Sequence, residues 1–280
     1  MARILVLGHV HHDRVWRLDR PLVSGARLHW QTRETRLGGG GFNTASALRN
    51  LGHDVVLATA LTDDAGGHAA IAALRRLGID TRHVRLVAGE TQLVEILLDP
   101  EGERTIVFSA SHVRPAIPVP ANADFDAAYI NARAYDEAGL AALESLPLVV
   151  AQFPLSQAMP MPATVVVGSR ADLAPRAASD LWPAAERVTG GRAEWLVLTD
   201  GPGPVTVTDG RSEALAPVPR RLDLPDMTGA GDCFAAGLVA ALAGRSALDI
   251  GLLLEAAGEA NAATARLLAD RDRVLPPVLL

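Results

Sequence analysis

Hydrophobic and polar positions along this chain follow two rhythms. Short apolar runs at 4–8, 55–61, 127–130, 148–151, 164–167 and 195–199 read as strands buried on both faces. Between them lie amphipathic stretches with helical spacing, at 44–52 and 71–77, from near Gly229 onward, and over the long apolar segment 247–268. The second of these opens behind Asp63-Asp64-Ala65-Gly66-Gly67 and stops at Gly78, a residue suited to a helix C-terminus. The alternation predicts an α/β fold with a predominantly parallel sheet flanked by helices.

Two segments depart from that rhythm. Residues 14–20 and 27–36 alternate polar and apolar side chains around Pro21-Leu22-Val23-Ser24-Gly25, while 91–98 and 104–109 flank Asp99-Pro100-Glu101-Gly102-Glu103. Such runs predict strands covered on one face and a hairpin with a turn-rich tip. A small second sheet is therefore expected outside the parallel core, formed by about 13–36 and 91–109. Apolar faces carrying Val15, Leu18, Leu28 and Trp30 on those strands are expected to need a partner, so a homodimer through this sheet is predicted. No repeat or linker divides the chain, and 1–280 is expected to form one domain.

Composition narrows the function. With 49% hydrophobic and 21% charged residues, 280 positions suffice for a sizeable core. The net charge is −6, and all 26 basic residues are Arg, dispersed rather than clustered, which argues against nucleic acid or an anionic membrane as partner. Without Lys, any phosphate must be met by Arg, backbone amides or a metal. One Cys excludes an internal disulfide, and no run approaches the ~20 apolar residues of a membrane span, so a soluble cytoplasmic protein is expected.

The stretch 226–238, Asp-Met-Thr-Gly-Ala-Gly-Asp-Cys-Phe-Ala-Ala-Gly-Leu, carries the chemistry. Pro225 and the glycines keep the preceding residues out of the helix that follows. The first turn then offers the amides of Gly229, Ala230 and Gly231 to an anion with little side chain in front of them. Asp232 in that turn is either a helix-dipole partner or a base facing a nucleophile, and a carboxylate beside an amide cradle suits phosphoryl transfer. Cys233 falls on the apolar face and reads as a core residue.

Further forward, the run 4–8 lacks a following G-x-G-x-x-G, which excludes a dinucleotide-binding turn. Instead His9-Val10-His11-His12-Asp13 follows, with too few spaced acids or Cys to complete a metal shell. The run Gly38-Gly39-Gly40-Gly41-Phe42-Asn43 then leads into a helix.

The 226–232 stretch resembles the D-x-x-G-A-G-D signature of the PfkB, or ribokinase-like, carbohydrate kinases, and 38–43 is similar to their G-G-x-G-x-N. The resemblance covers almost the whole chain and implies a ribokinase-like fold whose small β sheet forms a lid over a sugar. It implies ATP-dependent phosphorylation of a sugar hydroxyl, with Asp232 as base, the amides of Gly229, Ala230 and Gly231 as anion hole, and Asp13, Gly39 and Asn43 on the sugar. Arg104 is the candidate cation for the transferred phosphate. Thr199, Gly201 and Asn261 would meet the nucleotide. Asp172, at the place of the acid in the family's N-x-x-E, would act on Mg2+ through water, and Asp226 and Thr228 would border a monovalent cation such as K+. Gly40 stands where some members carry Lys, and His11 where many carry Asn. An unphosphorylated ribose-like or fructose-like sugar is expected ahead of a sugar phosphate. The alternatives are a nucleoside kinase, with Trp16, Trp30 or Phe108 as base platform, and a non-catalytic sugar-binding relative.

Overall fold

The protein is described in a computed structural model covering residues 1–110, 115–121, 124–153, 160–173, 177–218, 224, 226–245 and 247–276. Pro225, assigned above to keeping its segment non-helical, lies outside them. In chain order the first half comprises β1 (Arg3–Gly8), β2 (His11–Leu18), β3 (Trp30–Gly38), α1 (Gly40–Asn50), β4 (Asp54–Thr62), α2 (Ala65–Arg76), β5 (Asp80–Val87), β6 (Leu93–Leu98) and β7 (Arg104–Val107). The second half comprises β8 (Ala127–Asn131), α3 (Leu140–Glu144), β9 (Val149–Gln152), β10 (Val165–Ser169), α4 (Ala178–Val188), β11 (Trp195–Asp200), β12 (Gly203–Thr208), β13 (Glu213–Ala216), α5 (Ala230–Leu242), α6 (Ile250–Ala269) and α7 (Arg271–Val274).

The large sheet has the order β13-β12-β11-β10-β9-β8-β1-β4-β5. Its pairings are parallel from β5 across to β11, and β12 and β13 add an antiparallel edge. Central β1 shows why the sequence reads as a continuous apolar run. Ile4 and Val6 enter the core shared with α1, α2, α5 and α6, whereas Leu5 and Leu7 point into the opposite core with Leu143 of α3. A strand covered on both faces has no polar face to display.

The small sheet has the order β3-β2-β6-β7, so the expected lid segments pair with each other. β2 pairs antiparallel with β3 and parallel with β6, and β6 and β7 form the hairpin. One prediction about this sheet holds only in part. Trp30 is exposed and Leu28 half-buried, but Val15 and Leu18 are buried, Val15 in a cluster with Val94, Ile96 and Leu98, and Ile106, Val107 and Phe108 are exposed in addition.

Helix boundaries also shift for local reasons. α1 starts at Gly40 rather than near 44, because the glycine run itself winds into the first turn behind Gly39. α6 starts at Ile250 rather than 247, because the Asp249 side chain caps it by accepting the Leu252 amide at 2.8 Å. Among the described residues, no helix is long and apolar enough to cross a membrane.

Candidate active site

The centre of the site is the start of α5. Gly229 caps it with φ of 88°, a left-handed conformation that disfavours any residue with a Cβ. The Ala230 amide turns back to the Met227 carbonyl at 3.0 Å, and the Cys233 amide closes the first turn on Gly229 at 2.8 Å. One amide expected in the cradle is therefore engaged. Those of Gly231 and Asp232 lie in the first turn, where a helix has no internal acceptor to offer.

Packing fixes where that turn sits. A Cβ on Gly237 would meet the Ala260 Cα at 2.8 Å, so α6 lies directly against α5 there. Cys233 is fully buried on the same inner face, and burial, aided by the Asp232 charge, pushes its thiol up to about 12. It is a core residue, inert at neutral pH.

Asp232 is half-buried and is gripped from two elements. Asn43 of α1 donates to its Oδ2 at 2.8 Å, and Asn131, at the end of β8, approaches Oδ1 at 3.5 Å. Burial raises its pKa above the usual carboxylate range, while the Asn43 bond and the Arg104 charge pull the other way. Arg104 on β7 of the lid is exposed, and its charge is the smallest of these influences on the carboxylate. Sequence reading overlooked Asn131. Its position at the carboxyl end of a parallel core strand, where α/β sheets place their ligand sites, is the signal that could have found it.

Asp13 stands on lid strand β2, only 4% exposed, with its carboxylate pressed against Gly38, where a Cβ would fall 1.8 Å from Oδ2. Burial raises its pKa to about 7, with Arg36 opposing, Asp232 adding and Arg271 opposing. Its Oδ1 is buried without a hydrogen-bond partner among the described residues, as befits a group that awaits a ligand hydroxyl. Gly39, with φ of 86°, turns the chain past the His9 carbonyl, which accepts the Gly41 amide at 2.9 Å. A Cβ on Gly40 would meet the Asn131 side chain at 1.9 Å, so the space a Lys would take here is filled by Asn131.

Of the three lid aromatics considered as a base platform, Trp16 is committed. It stacks edge-on with Trp30 at 5.6 Å, lies under Arg14 and Arg33, and donates to Glu95 at 2.5 Å. Phe108 instead lies edge-on to His11 at 5.9 Å, and His11 is stacked at 6.2 Å on His9. His12 takes the other side of the strand and meets the Gly66 carbonyl at 3.2 Å.

Of the residues expected on the nucleotide, Thr199 and Gly201 lie at the end of β11, near the end of β10, and Asn261 lies apart from them in sequence on α6. Thr199 is in register with Ser169 and donates to the Gly168 carbonyl at 3.3 Å. Gly201 forms the exposed turn into β12 with φ of 53°. Asp172 is exposed in the 3-10 turn Arg170–Asp172, which Ser169 caps. Among the described residues no group of three His, Cys, Asp or Glu could hold a metal by itself. A lone carboxylate of this kind fits a magnesium ion that keeps its waters and arrives on phosphate oxygens. Asn261 is half-buried on α6, its Nδ2 without a partner among the described residues.

The residues expected around a monovalent cation do not fit one. Asp226 is buried, and Arg36, Arg271 and Arg17 converge on its Oδ2 at 2.9, 3.5 and 3.8 Å. Burial alone would raise the pKa of Asp226, but the Arg36 and Arg271 guanidiniums hold it below the usual range.

Comparison with known proteins bears on the fold and the family. The ATP-dependent ribose-1-phosphate kinase of Halopiger xanaduensis is 33% identical over 108 residues, which is 38% of this chain and 36% of the relative, so this chain matches about a third of that protein's length. Giardia lamblia ribokinase superposes with a TM-score of 0.76 at 16% identity, over 99% of this chain and 97% of that one. Salmonella enterica aminoimidazole riboside kinase gives 0.69 at 20% identity, over 95% and 93%. At such identities the superpositions establish a shared fold. The family model described as pfkB family carbohydrate kinase matches residues 1–272, and the chain therefore belongs to that family.

Proposed function

We propose that the protein transfers the γ-phosphoryl group of ATP to a hydroxyl of a small sugar. The observation that carries this reading is the Asp232 carboxylate, held by Asn43 in the first turn of α5 beside amides that have no helical acceptor. Asp232 takes the proton of the attacking hydroxyl, and the Gly229, Gly231 and Asp232 amides meet the charge on the phosphoryl group. Asp13, Gly39 and Asn43 hold the sugar. Arg104 closes with the lid and neutralises the transferred phosphate. Thr199, Gly201 and Asn261 receive the nucleotide, and Asp172 would hold a magnesium ion through water. The bound ion supplies charge neutralisation on the phosphates.

The chain reads as one ribokinase-like domain in which 13–36 and 91–109 form a discontinuous lid, and as a homodimer through those lids. A reducing, cytoplasmic setting suits its single buried thiol. An unphosphorylated pentose or hexose remains the favoured substrate, because of the four candidate cations Arg14 is committed to Glu95, Arg33 lies over Trp16 and Arg104 is assigned to the transferred phosphate, which leaves the exposed Arg133 to meet a second one. Phe108 beside His11 supports a nucleoside as the second reading, since a base needs an aromatic face there.

The deciding experiment measures ADP formation from MgATP over pentoses, hexoses, ribose 1-phosphate, hexose phosphates and nucleosides. Turnover with a free sugar, at least tenfold above any nucleoside or sugar phosphate in kcat/KM, is the expected result. A nucleoside preference selects the second reading, and a tenfold preference for a phosphorylated sugar removes the neutral-sugar assignment. Sugar binding without ADP formation would identify a non-catalytic relative.

A further inference from the structure

Family resemblance sets Asp226 and Thr228 beside a monovalent cation, yet the structure supplies a cation of its own. Arg271 Nη2 lies 3.5 Å from the Asp226 carboxylate and donates to the Thr228 main-chain carbonyl at 3.2 Å. One guanidinium thus engages both the carboxylate and the carbonyl that a metal ion would need. Arg36 Nη1, from near the end of lid strand β3, reaches the same carboxylate oxygen at 2.9 Å.

Of the remaining oxygens the Thr228 hydroxyl is buried without a hydrogen-bond partner among the described residues, but the carbonyls that would complete a shell are engaged. An alkali cation that sheds its water needs a ring of oxygens, mainly carbonyls. After α6 those carbonyls face inward to α7. Asp270 accepts the Arg273 and Val274 amides at 3.1 Å each, Arg271 accepts the Leu275 amide at 2.6 Å, and Val274 accepts the Ser46 hydroxyl. A metal ion placed here would also face two guanidiniums, both of which are largely buried and therefore poorly screened.

We infer that the Arg271 guanidinium is the resident cation of this site, replaces the monovalent metal ion, and leaves the protein independent of potassium. Arg271 is a positioning residue: it holds the Thr228 carbonyl one residue before Gly229, whose left-handed turn aims the α5 amides. Asp226 completes the brace by accepting the Thr228 amide at 2.9 Å. Arg36 extends the same brace to the lid, because β3 runs straight on to Gly38 and the glycine turn.

Turnover effects rest on the kinase reading, whereas effects on melting do not. The test compares KCl with tetramethylammonium chloride at matched ionic strength, reading both Tm and sugar-dependent ADP formation. For the natural chain we expect less than about a twofold change in rate and less than about 1 °C in Tm. A potassium-specific gain of about tenfold in rate, or of several degrees in Tm, would overturn the inference.

Arg271→Ala should lose Tm and turnover in tetramethylammonium and regain part of both when KCl or guanidinium at low concentration is added. A merely structural Arg would not be rescued by a free cation. If Arg271→Ala equals the natural chain in both salts, the inference fails. Should that variant not fold, Arg271→Lys and Arg271→Met replace it: Lys above Met in Tm supports a resident cation, and equal values refute it. If no sugar is phosphorylated the kinase reading falls, and the melting data still decide the cation.

Discussion

Asn43 and Asp232, 189 positions apart in sequence, meet through a 2.8 Å hydrogen bond from the Asn43 amide to the Asp232 carboxylate. The bond joins the helix that follows the glycine run to the helix that follows the Gly-Ala-Gly turn, so the two signatures form one site. Its donor also favours the ionised carboxylate, against the burial that raises the pKa of Asp232.

Replacing the base is the direct test of this arrangement. Asp232→Asn should lower kcat by about 10²–10⁴-fold, the usual effect of losing a general base. Sugar affinity by calorimetry should change little. A variant that keeps more than about a tenth of the natural turnover would remove Asp232 from that role.

Asn43→Ala probes the hydrogen bond. Losing a bond to a charged group costs about 1.5–3 kcal/mol, and here the loss falls on the ionised form of Asp232. Its pKa should therefore rise further, and the acid limb of the kcat profile should move to higher pH. A profile that keeps its position while kcat falls would show that Asn43 serves the sugar alone.

Much of this was legible in the sequence, for identifiable reasons. β1, β4, β8, β9, β10 and β11 are covered on both faces and so stand out as apolar runs, and lid strand β6 shows clean alternation, whereas β3 passes from exposed at its start to buried at its end. β5 was missed because Asp80, Arg82, His83 and Arg85 interrupt it. As the outermost strand of the sheet it can place those side chains at the surface. α4 was missed because Pro183 interrupts its helical pattern. The Arg cluster on Asp226 was invisible for another reason: it unites residues 17, 36, 226 and 271, and no local spacing encodes such a convergence.

Asp13 makes pH dependence informative. Its carboxyl has a pKa of about 7 in the fold, against about 3.9 when free. A raised pKa gives stability that is fully present below about pH 4 and is lost as pH rises through about 7. Asp13→Asn should consequently raise stability at pH 8 by up to about 4 kcal/mol, three pKa units at 1.36 each, and leave it unchanged at pH 4. The same variant should lose sugar binding. If denaturant titrations at pH 4 and pH 8 show the same difference from the natural chain, Asp13 is not the titrating group.

The position of Gly40 tests how the sugar side is packed. A Cβ there would fall 1.9 Å from the Asn131 amide, whose neighbour is Asp232 at 3.5 Å. Gly40→Ala should therefore push Asn131 aside at an overpacking cost of about 1–3 kcal/mol and lower kcat/KM. The double variant with Asn131→Ala should recover part of the stability lost by Gly40→Ala, because the clash has gone. Additive losses in the double-mutant cycle would show that residues 40 and 131 do not compete for this space.

The lid carries its exposed apolar side chains on its two outer strands and just beyond. Trp30 at 56% exposure begins β3, Ile106 at 42% and Val107 at 47% end β7, and Phe108 at 39% follows. Outer strands also present unpaired backbone groups, so an edge of this kind is left open only at a cost in aggregation unless a partner covers it. A second copy of the lid offers the same apolar residues and strand edges, and a two-fold axis would satisfy both at once. Light scattering at micromolar concentration should accordingly give the mass of a dimer. Ile106→Glu combined with Trp30→Glu should give a monomer whose far-UV spectrum is unchanged, since neither side chain belongs to the buried cluster of Val15, Val94, Ile96 and Leu98. Because Arg104 lies on the same short strand as Ile106, that monomer should also show a raised KM for the sugar. A monomeric natural chain would refute the lid interface, and an unchanged KM in the monomer would separate the interface from the closing of the lid.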